Sequence, residues 1–131
     1  MSALRFALLV QGPPYGSEAS AQALLFAQAL LARGHRLSQV FFYQDGIYNA
    51  NGYVSPASDE VDLVAQWRTL AEAQGIQLDV CVAAAQRRGV LDAAEAQDAG
   101  KTGHNLAAPF VLSGLGQLAE AALGADRLVQ F

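Results

Sequence analysis

Charge is scarce in this chain: Lys, Arg, Asp and Glu make up 15% of its 131 residues, against roughly 25% in an ordinary soluble domain. Lysine occurs once, at Lys101, and cysteine once, at Cys81. Each shortage excludes something. With 53% hydrophobic residues and so little charge, neither intrinsic disorder nor a coiled coil fits. A single cysteine cannot close an intrachain disulfide or supply a cysteine-rich zinc site, so a reducing compartment is expected. Eight Lys and Arg against twelve Asp and Glu give a net charge of −4, the wrong sign for neutralising nucleic-acid phosphates. No direct nucleic-acid partner is expected. The uncharged stretches fall short of the roughly 20 apolar residues of a membrane span, and Met1 to Val10 carries no secretory cleavage pattern. The expectation is a cytoplasmic protein that starts at Met1 and has no membrane partner.

What is present has room for one core, so a single domain over residues 1–131 is expected. Twenty-six alanines and long, weakly polar helices leave two readings of the exterior. Either other subunits cover part of it, or the composition reflects a GC-rich genome.

Arg5 to Val10 (RFALLV) reads as a buried strand stopped by the turn-rich loop Gln11 to Gly16. Ser20 to Arg33 has helical composition, with Ser17 or Ser20 as N-cap and Gly34 past its end, and its near-uniform apolarity predicts burial on more than one side. Leu37 to Tyr43 is a second strand. Gln44 to Ser58 (QDGIYNANGYVSPAS) reads as a long irregular segment whose tyrosines and asparagines favour an ordered lid or an interface. Asp59, Glu60 and Asp62 are expected in the first turn of a helix carrying Leu63, Trp67 and Leu70 and ending at Gly75. Leu78 to Val82 is a third strand, followed by a polar stretch to Gly89 and a short helix from Asp92 to about Asp98. After an irregular Gly100 to Pro109 come a strand at Phe110 to Ser113, a helix at Leu115 to Leu123 and a last strand at Arg127 to Phe131.

Alternating strands and helices with long crossovers predict an open parallel sheet with helices on both faces, though strand order is not readable. Ligands of such sheets gather outside the carboxyl ends of the strands, here Gln11 to Gly16, Tyr43 to Ser58, Cys81 to Gly89 and Ser113 to Gly116. The GPPYG loop lacks the GxGxxG spacing, and Pro13 and Pro14 have no N–H for a phosphate, so a rigid turn is preferred to a nucleotide site. Ser113 in LSGLG does not match a GxSxG elbow. His35 and His104 lie far apart and read as solvated loop histidines, with no metal site and no cofactor expected.

Cys81 is the one nucleophile whose placement is notable. It shares the polar register of its strand with Gln77 and Asp79, close to the carboxyl end. It reads either as a small buried hydrophobe or as a reactive thiol favoured by the next helix's N-terminus and by Arg87 and Arg88, with Asp79 opposing ionisation. A thiolate without a second cysteine can hold an extra sulfur as a persulfide, but its release requires a thiol on another molecule.

The segments RFALLVQGPPYG, FFYQDGIYNANGYVSPASDE, CVAAAQRRGV and SGLGQLAEAALGADRLVQF resemble, in the same order over almost the whole chain, the TusD-type branch of the DsrE-like sulfurtransferase family. The loop YNAN followed by SPASDE, and one cysteine ahead of a twin arginine, separate this likeness from a generic flavodoxin-like domain and from TusB and TusC subunits. The resemblance implies a three-layer α/β/α sandwich with a mainly parallel five-stranded sheet, and Cys81 as the catalytic persulfide carrier. It further implies a heterohexamer with TusB-like and TusC-like subunits, a TusA-like sulfur donor and a TusE-like acceptor. The wobble uridine of certain tRNAs would then be thiolated by a separate enzyme. Tyr48, Asn49 and Asn51 match a family loop, with a structural use expected of each, and Arg87 and Arg88 either stabilise the thiolate or are solvated. Two rivals remain: a DsrE-type subunit of dissimilatory sulfur oxidation, and a noncatalytic scaffold whose cysteine is packing.

Overall fold

Apolar runs separated by glycine-ended turns become five strands: β1 (Arg5–Val10), β2 (Arg36–Phe42), β3 (Gln77–Cys81), β4 (Val111–Ser113) and β5 (Arg127–Gln130). In the computed structural model, which describes residues 2–131, they form one all-parallel sheet in the order β4-β3-β2-β1-β5. The helices between them are α1 (Ala19–Ala32), α2 (Leu63–Gln74), α3 (Val82–Arg87), α4 (Ala93–Asp98) and α5 (Leu115–Gly124).

Residues paired across parallel strands share a face of the sheet. Val10, Phe42 and Val80 are aligned on one face, and Leu9, Phe41 and Asp79 on the other. Right-handed crossovers carry α1 and α2 onto the first face, because β1, β2 and β3 advance in one direction. There Phe26 packs edge-on against Phe6 at 5.8 Å, and Trp67 against Phe42 at 5.3 Å. The step from β4 to β5 runs back across the three central strands, so the same handedness puts α5 on the second face. The result is the expected three-layer α/β/α arrangement, and no helix of the described residues is long and apolar enough to cross a membrane.

Several boundaries move. Neither Ser17 nor Ser20 is the N-cap of α1: Glu18 occupies that position without a side-chain cap, and Ser20 lies inside the helix, buried. The helix buries a single stripe, Ala23, Leu24, Ala27 and Leu30, while Leu25 stays 64% exposed, since only one face of α1 meets the sheet. Asp59 and Glu60 precede α2, and Asp62 is its N-cap, accepting a hydrogen bond from the Ala65 N–H at 2.9 Å. Gly75 closes α2 in the left-handed region, at φ 66°. Gln44–Ala50 is a 3-10 helix rather than an irregular loop, and Val82 opens α3 instead of ending β3.

That 3-10 helix is held against β1 at close quarters. A methyl group built on Gly46 would land on the backbone carbonyl of Val10, which has no room to retreat within a central strand. Gly46→Ala is therefore expected to cost about 1–3 kcal/mol through overpacking, seen as a lower midpoint in urea with an unchanged slope.

Candidate functional site

Cys81 is the last residue of β3, and the chain turns into α3 at the very next residue. Of the two readings the sequence leaves open for the thiol's surroundings, the structure shows the buried one: Cys81 is 4% exposed and belongs to the main apolar cluster. Leu78 and Val80 lie on the face that α1 and α2 cover, and the 3-10 helix and α3 pack against β3, with Cys81 inside the apolar cluster. Cys81 makes no cap hydrogen bond to α3.

Asp79, two residues earlier on the same face, is wholly buried. Its carboxylate accepts from Ser113 Oγ at 2.8 Å, from Gln39 Nε2 at 2.7 Å and from Gln77 Nε2 at 2.9 Å, donors on β4, β2 and β3. A buried carboxylate needs such a set when no cation is at hand, and among the described residues the one salt bridge lies elsewhere. The sequence places Ser113 at the end of a strand and offers no hydrolase elbow around it. Its partnership with Asp79 carries no local signal, because it exists only once β4 pairs with β3 and sets Ser113 opposite Cys81.

Arg88 does not face the thiol with a free charge. Its Nε donates to Asp45 Oδ1 at 2.8 Å, tying α3 to the 3-10 helix, and one guanidinium nitrogen reaches the Ala84 carbonyl. With Asp45 59% exposed, that pair contributes little stability on its own. Arg87 is exposed.

The YNAN loop has the structural use expected of it. Asn49 is fully buried and donates to the carbonyls of Gly12 and Gly46, while its Oδ1 accepts from Ser20 Oγ at 2.6 Å. Ser20 Oγ in turn accepts from Trp67 Nε1 at 3.0 Å, so one polar thread joins β1's exit, α1, the 3-10 helix and α2. Asn51 Oδ1 accepts from Asn105 Nδ2 and from the Tyr53 N–H. Tyr48 and Asn51, with Pro13, Pro14, Tyr15 and Val54, line an open groove of about 350 Å³ at the same end of the sheet as Cys81. Of the histidines, His104 is exposed as expected. His35 is not simply solvated: its Nδ1 accepts from the Leu4 N–H at 3.0 Å and its ring meets the edge of Phe6, which locks the turn ahead of β2.

Residues 5–131 match the DsrE/DsrF-like family. The chain belongs to that family. Among similar proteins, "Sulfurtransferase TusD" of Enterobacter sp. (strain 638) is 60% identical over 128 residues, covering 98% of this chain and all of the relative. The protein of the same name from Serratia proteamaculans (strain 568) is 59% identical, covering 98% and 99%. The crystal structure of the ychN protein from E. coli superposes with a TM-score of 0.77 at 21% identity, over 98% of this chain and 99% of that one, and so shares the fold. Full-length identity with the TusD proteins places this chain among sulfurtransferases.

Proposed function

We propose that the chain is a sulfur-relay subunit that carries sulfane sulfur as a persulfide on Cys81. The observation that supports this most directly is the placement of its only thiol at the carboxyl end of a central strand, where open parallel sheets conduct their chemistry. The Cys81 thiolate attacks the outer sulfur of a donor persulfide; the donor's S–S bond breaks, its electron pair stays on the donor thiolate, and Cys81–S–SH is left. An acceptor thiolate then attacks the terminal sulfur and restores the Cys81 thiolate. No external oxidant or reductant enters.

By the same reading a TusA-like protein is the donor, a TusE-like protein the acceptor, and TusB-like and TusC-like subunits complete a cytoplasmic heterohexamer serving wobble-uridine thiolation. Support comes from the name of the close relatives and from exposed apolar side chains on β4, α5 and β5: Val111, Leu115, Leu123 and Leu128, the third of them 88% exposed. The net charge of −4 suits protein partners better than RNA. In the test, the isolated chain is charged with glutathione persulfide, freed of donor, and mixed with a thiol protein of the acceptor class. Intact mass should show one added sulfur on this chain, then its loss to the acceptor.

The burial of Cys81 favours a second reading, a noncatalytic scaffold in which the cysteine is packing. Absence of sulfur uptake under conditions where iodoacetamide does reach Cys81 would establish that reading and remove the first.

A further inference from the structure

A carrier thiol has to be reached by two different partners, yet Cys81 is 4% exposed. Its flank toward the sheet edge is closed by β4, a strand of three residues with nothing beyond it, in which Ser113 stands opposite Cys81. The two ends of β4 are held differently. At its start, Phe110 is buried against Phe42 with ring centroids 5.3 Å apart, and Arg68 Nε donates to the Ala108 carbonyl at 2.6 Å. At its finish the side-chain tie is Ser113 Oγ to Asp79 Oδ1 at 2.8 Å, after which Gly114, Leu115 and Gly116 are exposed and α5 begins without a side-chain cap.

We infer that Ser113, anchored by the buried Asp79 carboxylate, is a positioning residue for sulfur transfer that fixes the finish of β4 beside Cys81 and sets how often the thiol is uncovered. This rests on the reading of Cys81 as the sulfur carrier. The acceptor is itself held by Gln39 from β2 and by Gln77 from its own strand. Without the Ser113 hydroxyl the carboxylate keeps those two donors, so the centre of the sheet stays satisfied while the edge loses its tether. Short edge elements with few buried contacts are where local opening is least costly. An opening that hinges at the Phe110 anchor and frees Ser113 to Gly116 uncovers Cys81 on its edge side without disturbing β1 or β2.

The experiment uses the full chain as wild type, Ser113→Ala and Ser113→Thr. Three quantities are read under native conditions: the rate of Cys81 alkylation by iodoacetamide, amide hydrogen exchange, and the rate of sulfur loading from glutathione persulfide. Ser113→Ala should alkylate about tenfold faster, equivalent to about 1.4 kcal/mol of easier opening. Its exchange should accelerate in β4 and the first turn of α5 but not in β1 and β2, and loading should quicken in step. Ser113→Thr, which keeps the hydroxyl, should match wild type. Wild-type alkylation by Ser113→Ala with loading intact would overturn the positioning role and leave the carrier standing, as would exchange that accelerates equally in every strand. Faster alkylation with no loading by any form would overturn the carrier, and the positioning role with it.

Discussion

Cys81→Ser takes up no sulfur from glutathione persulfide, whereas the wild-type chain gains a single sulfur atom: this is the largest functional effect expected. The reacting group must be a thiolate, because the incoming sulfur is attacked by an ionised sulfur nucleophile and the new S–S bond is what stores it. A serine hydroxyl at the same position is nearly the same size but does not ionise near neutral pH, and it forms no S–S bond. The comparison is clean because the chain has no second cysteine to take over. Exchanging a buried sulfur for a hydroxyl costs about 1–3 kcal/mol if the hydroxyl finds no partner, so Cys81→Ala belongs beside it as a second variant. Both should show the far-ultraviolet circular dichroism of the wild type, with mass spectrometry showing no adduct. Sulfur uptake by either variant would remove Cys81 from the chemistry.

Trp67→Ala carries the largest structural effect. Trp67 is fully buried, stands edge-on to Phe42, and through Nε1 feeds the Ser20–Asn49 thread that holds the 3-10 helix in place. Truncating a buried aromatic to alanine costs about 3–5 kcal/mol in lost contacts and residual cavity. For a chain of this size that corresponds to a fall in Tm of roughly 10–20 °C. Trp67→Phe separates the two contributions. It keeps much of the ring packing and loses the indole N–H, and because Ser20 Oγ still donates to Asn49, its cost should stay near 1–2 kcal/mol. A Trp67→Phe variant as unstable as Trp67→Ala would mean that the polar thread, rather than packing, dominates.

The sequence makes the existence of most elements legible and their neighbours illegible. Strands β1, β2 and β5 and helices α1, α2 and α5 announce themselves through apolar runs that stop at Gly34, Gly75 and similar turns. The order of the strands does not, because a long crossover fits a neighbour on either side, and nothing local says that β5 lies beside β1. The segment Gln44 to Ala50 looks irregular because its order comes from Asn49 reaching Gly12 and Ser20, some thirty residues away. In α3, six residues without a side-chain cap offer no signal to separate helix from loop. At the site, the position of Cys81 at a strand's carboxyl end is legible, and the sequence leaves its surroundings open between a buried small side chain and a reachable thiol. What decides between them is the 3-10 helix packed against β3, an element whose order itself depends on distant residues.

The carboxylate of Asp79 has a consequence for how the sheet aligns itself. Parallel strands dry on both sides, such as β1 and the Val40 to Phe42 stretch of β2, present greasy surfaces that would tolerate sliding past one another by a full pleat repeat. Gln39 on β2 and Ser113 on β4 both meet the Asp79 carboxyl group of β3 in a single alignment of the three strands. Any slip takes that buried group away from its cross-strand partners, a fault worth about 1–3 kcal/mol, so it acts as an indexing pin that makes mispaired sheets recognisably wrong while the chain is still assembling.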